Sequence, residues 1–129
     1  MESEKIRVLV VEDSSTMRRI LINCLAKIGY TNVTEACNGV EALAKCREGR
    51  FDCVFTDWNM PEMDGLEFVT RLRQMPEYAQ SVVIMVTTEG ARQDVIEALT
   101  RGVNSYVIKP FTPDVIHRKL QDALARAGM

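Results

Sequence analysis

Few residues in this chain could do chemistry, and they arrive in short groups: Glu12-Asp13, Asp57, Thr87-Thr88-Glu89 and Lys109-Pro110. Each group directly follows an apolar run. Glu12, Asp13 and Asp57 would repel one another unless something positive were shared. A hard divalent ion with oxygen ligands and water meets that need, and Mg²⁺ suits one or two carboxylates combined with a phosphate. The Asn59 backbone carbonyl, just beyond Asp57, is a further oxygen for such an ion. Carboxylates also form acyl phosphates, and Asp57, the middle acid, is the best-placed nucleophile. Phosphoryl transfer asks for in-line positioning and neutralised equatorial oxygens more than for acid–base chemistry. Lys109 and a cation would neutralise those oxygens, and the Thr87 hydroxyl would donate a hydrogen bond to one. An aspartate after a strand is commonly a turn or cap residue. The combination is what carries weight, since turns do not require a lysine opposite a carboxylate cluster.

These groups must be positioned by the elements before them. Ile6 to Val11 is a nearly unbroken apolar run, as expected of a strand covered on both faces. Ser14 and Ser15 are good helix N-caps, and Met17, Ile20, Leu21, Cys24, Leu25 and Ile28 then predict an amphipathic helix ended by Gly29. The unit repeats. Asn32 to Ala36 reads as an edge strand, followed by a helix over Gly39 to Glu48 with Val40, Leu43 and Ala44 inward. Phe51 to Thr56 is a strand, and Gly65 to Arg73 a helix carrying Leu66, Val69 and Leu72. Val82 to Val86 is the most apolar strand. Ala91 to Arg101 is a helix closed by Gly102, and Ser105 to Ile108 is the last strand. Thr112-Pro113 opens a final helix that buries Val115, Ile116, Leu120, Ala123 and Leu124. Alternating strands and helices imply an α/β fold with a doubly wound parallel sheet. In such sheets the ligand crevice lies outside the carboxyl ends of the strands. The polar groups therefore converge on one rim.

The bulk composition excludes other classes. The 129 residues fit one domain over 1–129, with no linker or low-complexity stretch. A formal charge of −2 with scattered Lys and Arg gives no nucleic-acid footprint. No apolar run reaches a membrane span, and the segment Met1 to Lys5 is no leader, so a cytoplasmic protein is expected. Cys24, Cys37, Cys46 and Cys53 lack metal-ligand spacing and read as small buried hydrophobes in a reducing compartment. His117, beside Arg118 and Lys119, reads as a solvated residue of the last helix. Met60, Met63, Met75 and Met85 read as turn and core packing. Glu62 and Asp64 read as charges at the start of the third helix, and Trp58 as a cover over the strand-three exit.

The set Glu12-Asp13, Asp57, Thr87 and Lys109-Pro110 resembles the signature of response-regulator receiver domains over the whole chain. Asp57-Trp58-Asn59-Met60-Pro61-Glu62-Met63-Asp64-Gly65 and Lys109-Pro110-Phe111-Thr112 bring it near the CheY-like subgroup of stand-alone chemotaxis receivers. The resemblance implies a flavodoxin-like receiver fold with five strands in the order 2-1-3-4-5 and five helices. It implies phosphorylation of Asp57 by a CheA-like histidine kinase, with Mg²⁺ held by Asp13, Asp57 and the Asn59 carbonyl. Glu12 stands where many members have Asp and is expected to act through water. Thr87 would move toward the phosphate and Tyr106 turn inward behind it. The reshaped surface, including Arg92, Val95, Tyr106 and Lys119, would dock on a flagellar motor switch protein. Asn59 and Glu89 would tune dephosphorylation by admitting water. The protein would be a monomeric switch that promotes its own phosphorylation and dephosphorylation rather than a metabolic enzyme, with a dedicated phosphatase among its candidate partners. The Lys109-Pro110 bond is expected to be cis.

Other readings remain. A phosphorelay intermediate or phosphate sink would share every one of these residues. A phosphatase with an Asp nucleophile is disfavoured, because it would want an acid where Asn59 stands. A dinucleotide-binding domain is disfavoured because Glu12-Asp13-Ser14-Ser15, not a G-x-G-x-x-G loop, follows the first strand. Transcriptional output is disfavoured because only Gly128-Met129 follow the last helix.

Overall fold

Apolar runs that lack polar alternation have to be covered on both faces, and they are. A computed structural model describes residues 3–129, leaving Met1 and Glu2 of the N-terminal segment outside the described residues. The strands are β1 (Val8–Val11), β2 (Val33–Ala36), β3 (Cys53–Thr56), β4 (Val82–Thr87) and β5 (Ser105–Ile108). Between and after them run α1 (Ser15–Lys27), α2 (Gly39–Glu48), α3 (Gly65–Arg73), α4 (Arg92–Thr100) and α5 (Pro113–Arg126). All pairings are parallel, in the order β2-β1-β3-β4-β5. The order reverses between β1 and β3, which makes the crevice at their carboxyl ends the natural ligand site.

Strand side chains alternate between faces, and each strand feeds two cores. Leu9, Val11, Val54, Val83 and Met85 pack with Leu43, Phe68, Leu72 and Ala98. Val8, Val10, Phe55, Ile84 and Val86 pack with Leu21, Leu25, Ile116 and Leu120. Among the described residues no helix is long and apolar enough to cross a membrane.

The register places the polar rim. Val11 pairs with Thr56, so Glu12 and Asp57 each stand one step past the same rung. Thr87 pairs with Ile108, and the Lys109 N–H donates to the Thr87 carbonyl at 2.9 Å. The Asp57 N–H donates to the Val11 carbonyl at 3.0 Å, carrying the ladder up to the acid itself. The Lys109-Pro110 bond is cis.

Several expectations need correction. Ile6 and Phe51 are buried but precede their strands; parallel pairing starts only past Arg7, whose N–H donates to the Asp52 carboxylate at 2.9 Å. Ile20 is 43% exposed and Val40 48%, and Ala44 is also exposed. The buried stripe of α2 is Gly39, Ala42, Leu43 and Cys46, rotated about one residue from the expected one. Glycine at the first helical position lets that stripe sit tight against the Met63 side chain. Gly29 and Gly102 have φ of +98° and +112° and close α1 and α4 as left-handed residues, whereas Gly49 after α2 is extended. Cys24, Cys46 and Cys53 are buried, but Cys37 is exposed, because it lies in the turn past β2 rather than on an inward face. His117 and Val115 are half-buried, since α5 turns its flanks as well as its centre line toward the sheet.

One glycine bears directly on the rim. Gly65 opens α3 under the loop that leaves β3, and its N–H donates to the Trp58 carbonyl at 2.7 Å. A methyl group there would fall inside the contact distance of the Asp57 carbonyl, which is backbone and unable to swing aside. Overpacking of this kind costs about 1–3 kcal/mol and occasionally more. Gly65→Ala is therefore expected to lower stability by at least that amount in urea unfolding, and to broaden or shift the amide resonances of Asp57 and Trp58.

Candidate functional site

Glu12 leaves β1 with its carboxylate turned inward, 5% exposed overall, and one oxygen accepts from the Ser14 N–H at 3.1 Å. Asp57 leaves β3 with one oxygen accepting from the Trp58 N–H at 2.6 Å. Lys109 reaches across from the end of β5. Its ammonium donates to Glu12 Oε1 at 2.6 Å and to Asp57 Oδ2 at 2.9 Å, with the three side chains only 7–12% exposed. Two nearly buried carboxylates share one cation.

The electrostatics follow from that burial. Loss of water raises the Glu12 carboxyl above its ordinary range, and the hydrogen bond from Lys109 only partly opposes it. Burial alone would lower the Lys109 ammonium, but the hydrogen bonds to Glu12 and Asp57 outweigh it and hold the group above its ordinary value. The raised lysine contributes stability below its unfolded value and loses it only as pH climbs through the folded one. It is charged throughout the neutral range.

Asp13, exposed beside this pair, has no protein partner for its carboxylate among the described residues. One oxygen each from Glu12, Asp13 and Asp57 lies within 4.8 Å of the others. The donors are all oxygen, with no sulfur or imidazole, so they fit a hard cation such as Mg²⁺ rather than zinc or copper.

The remaining expected residues are distributed unevenly. Thr87 is fully buried, and its hydroxyl oxygen accepts from the Glu89 N–H at 3.3 Å rather than bonding Asp57. Asn59 is exposed, and its amide donates to Glu89 Oε1 at 2.8 Å, so these two residues meet directly. Tyr106 is already inward, 8% exposed, and its hydroxyl donates to the Glu89 carbonyl at 2.5 Å. Burial first, then the negative charges of Asp94, Glu89 and Asp57, push its phenol up to about 12, so it remains a donor. Arg92 is exposed at the start of α4, while Val95 and Lys119 are half-buried. Tyr106 is thus the least exposed of these four. Exposed Ile96, Leu99 and Ile108 supply apolar surface on the same elements. Asp64, expected only as a favourable charge, caps α3 by accepting from the Glu67 N–H at 2.8 Å.

Sequence reasoning missed two contributors. Gly65 was visible only as a helix boundary. Arg18 was not singled out, yet its guanidinium donates to the Glu12 carbonyl at 2.7 Å and to Glu35 at 2.8 Å. No local pattern in the chain announces that contact.

Residues 8–121 match the model of the response regulator receiver domain family. The chain is 51% identical over 121 residues to a chemotaxis protein CheY homolog of Campylobacter jejuni, covering 92% of both chains. It is 49% identical over 119 residues to chemotaxis protein CheY1 of Helicobacter pylori, covering 92% of this chain and 96% of that one. Among solved structures, chemotaxis protein CheY4 of Vibrio cholerae superposes with a TM-score of 0.86 at 37% identity, covering 92% of this chain and 98% of that one.

Removing the shared cation tests the electrostatic account. Lys109→Met would leave the Glu12 carboxylate buried with no compensating charge, and breaking such a pair costs about 3–5 kcal/mol. The uncompensated carboxyl binds its proton more tightly folded than unfolded, so the variant loses stability as pH rises through the carboxylate range. Urea unfolding is expected to show a gap to wild type that is wider at pH 8 than at pH 5.

Proposed function

Because the chain belongs to the response regulator receiver domain family, we propose that it is a CheY-like chemotaxis switch whose Asp57 accepts a phosphoryl group from a histidine kinase. The observation that carries this reading is the Lys109 ammonium bonded to Asp57 at the end of β3, with Glu12 and Asp13 alongside. A carboxylate held this way is a nucleophile with its charge-neutralising groups already in place.

The Asp57 oxygen attacks the phosphorus of a phosphoimidazole. The new O–P bond forms as the P–N bond breaks, and the departing imidazole nitrogen keeps the electron pair and takes a proton from solvent. Asp13, Asp57 and the Asn59 carbonyl would hold Mg²⁺, with Glu12 acting through water, and the ion would neutralise charge on the transferring oxygens. Lys109 moves one hydrogen bond from the carboxylate to a phosphoryl oxygen. The Thr87 hydroxyl, weakly engaged by Glu89 at 3.3 Å, turns to donate to another. Tyr106 follows through its bond to the Glu89 carbonyl. The face built from Arg92, Val95, Tyr106 and Lys119 then docks on the flagellar motor switch.

Discharge needs water in line with the Asp57–phosphorus bond, which breaks as phosphate is released. Asn59 and Glu89 bond to each other beside the site, and as a small polar and an acidic group they admit and orient that water. The chain promotes its own phosphorylation and dephosphorylation and acts as a switch rather than a metabolic enzyme.

Incubation with acetyl phosphate and Mg²⁺ is expected to label wild type and quench or shift Trp58 fluorescence, with both effects absent in Asp57→Asn. Unlabelled wild type, or equal labelling in Asp57→Asn, would defeat the reading. Asn59→Met is expected to slow loss of the label about tenfold or more, equivalent to about 1.4 kcal/mol in the barrier; an unchanged rate removes Asn59 from that role. Capture of motor-switch protein by phosphorylated but not unphosphorylated chain separates motor output from a relay or phosphate sink.

A further inference from the structure

The acidic loop that follows β1 is held from outside the site. Arg18, at the end of the first turn of α1, sends its guanidinium back over the end of the strand. Nη1 donates to the Glu12 carbonyl at 2.7 Å, and Nε donates to Glu35 Oε1 at 2.8 Å. The arginine side chain is 19% exposed, whereas that of Glu35 is 54% exposed. An ion pair with so open an acid contributes little to stability by itself. Its geometric effect is larger. The Glu12 carbonyl and the Asp13 N–H belong to one planar peptide unit. A hydrogen bond to that oxygen sets the tilt of the unit from which both carboxylates depart.

Two further bonds complete the restraint. The Glu12 N–H donates to the Ala36 carbonyl at 3.0 Å, and the Ser14 N–H donates to Glu12 Oε2 at 3.1 Å. Glu35, which steers the guanidinium, directly precedes Ala36 on β2. The Asp13 carboxylate has no protein partner among the described residues, so its position is inherited from the backbone that Arg18 holds.

We propose that Arg18 is a positioning residue for cation binding: it orients the Glu12–Asp13 peptide so that both carboxylates converge with Asp57. The inference rests on the reading of Glu12, Asp13 and Asp57 as a Mg²⁺ site. It makes a prediction of definite sign. If Arg18 acted only through its positive charge near three acids, removing it would tighten Mg²⁺ binding. If it acts by orienting the peptide, removing it weakens Mg²⁺ binding despite the more negative site.

The test is a Mg²⁺ titration of wild type, Arg18→Met and Arg18→Lys, followed by Trp58 fluorescence and by calorimetry. Arg18→Met keeps the apolar stem and removes the donors; its Kd for Mg²⁺ is expected to rise about tenfold, the lower end of what loss of an outer-sphere partner does to metal affinity. Arg18→Lys retains one donor for the carbonyl but not the fork that also grips Glu35. It is expected to fall between the other two. Acetyl phosphate labelling of Arg18→Met should need more Mg²⁺ for half-maximal rate yet reach the wild-type rate at saturation, which a merely misfolded variant would not do. Equal affinity in all three proteins, tighter binding by Arg18→Met, or a lowered rate ceiling would overturn the proposal. Should Arg18→Met fail to fold, the Arg18→Lys titration decides, with wild-type affinity as the overturning result. Absence of Mg²⁺ binding in wild type would instead overturn the metal reading itself.

Discussion

Two carboxylates, Glu12 and Asp57, stand one residue past the same rung of the sheet and share one ammonium. Taking a carboxylate out of water is expensive unless it is paired and hydrogen-bonded. Much else in the molecule follows from meeting that condition at this position. β5 has to lie two strands from β3 so that Lys109 can reach over the end of β4, and the ladder bond from the Lys109 N–H to Thr87 anchors its backbone there. The second oxygens are also occupied, by the N–H groups of Ser14 and Trp58. No buried side-chain polar atom among the described residues is left without a partner. Both carboxylates are thus fully engaged, while Asp13 beside them is exposed.

A parallel sheet suits this requirement for a geometric reason. All strands end on the same side, so every residue that follows a strand faces the same crevice, and register alone decides which ones meet. The cost is that each exit loop must be held in place by something other than the ladder. Gly65 does this for the β3 loop by bringing the start of α3 into contact with the Asp57 and Trp58 backbone, an approach that any side chain would prevent. Arg18 does it for the β1 loop through the Glu12 carbonyl. Tyr106 does it for the β4 loop through the Glu89 carbonyl. Three unrelated side chains or absences of side chain solve one problem.

The strands, helices and rim acids were legible in the sequence because they rest on local patterns. Uninterrupted apolar runs marked buried parallel strands, and the polar groups directly after Val11, Thr56, Val86 and Ile108 marked the crevice. The helix faces were read less well. Ile20 and Val40 fit an apolar stripe by spacing, but the docking angle of each helix, set by its neighbours, turned them outward. Contacts between elements were not legible at all. Nothing local distinguishes Arg18 from Arg19, yet only the first points over the end of β1. The Asn59–Glu89 bond joins residues that were each singled out, and their direct meeting across 30 positions of chain required the fold.

The hydrogen bonds behind Asp57 differ in strength in an instructive way. The Thr87 hydroxyl is held by the Glu89 N–H at 3.3 Å, beyond the usual length for such a bond, while Tyr106 is held to the Glu89 carbonyl at 2.5 Å. The weak link therefore lies at the end of β4, and the strong one runs to the tyrosine of β5. A phosphoryl oxygen appearing near Thr87 would accept the hydroxyl's hydrogen, which the contact to the Glu89 N–H does not use, so little has to be given up to recruit it. Only a turn of the Thr87 side chain would loosen that contact, and Glu89 would still be tied to Tyr106, so any displacement of its backbone would be passed to the ring or would break that bond. A ligand can shift a conformational equilibrium only by its difference in affinity for the two states. In this chain that difference would arise at Thr87. It would reach the surface near Arg92 and Val95 through one backbone segment, with Asn59 gripping the side chain of the same residue from the opposite bank. Glu89 is thus held at two points, its backbone carbonyl by Tyr106 and its carboxylate by Asn59.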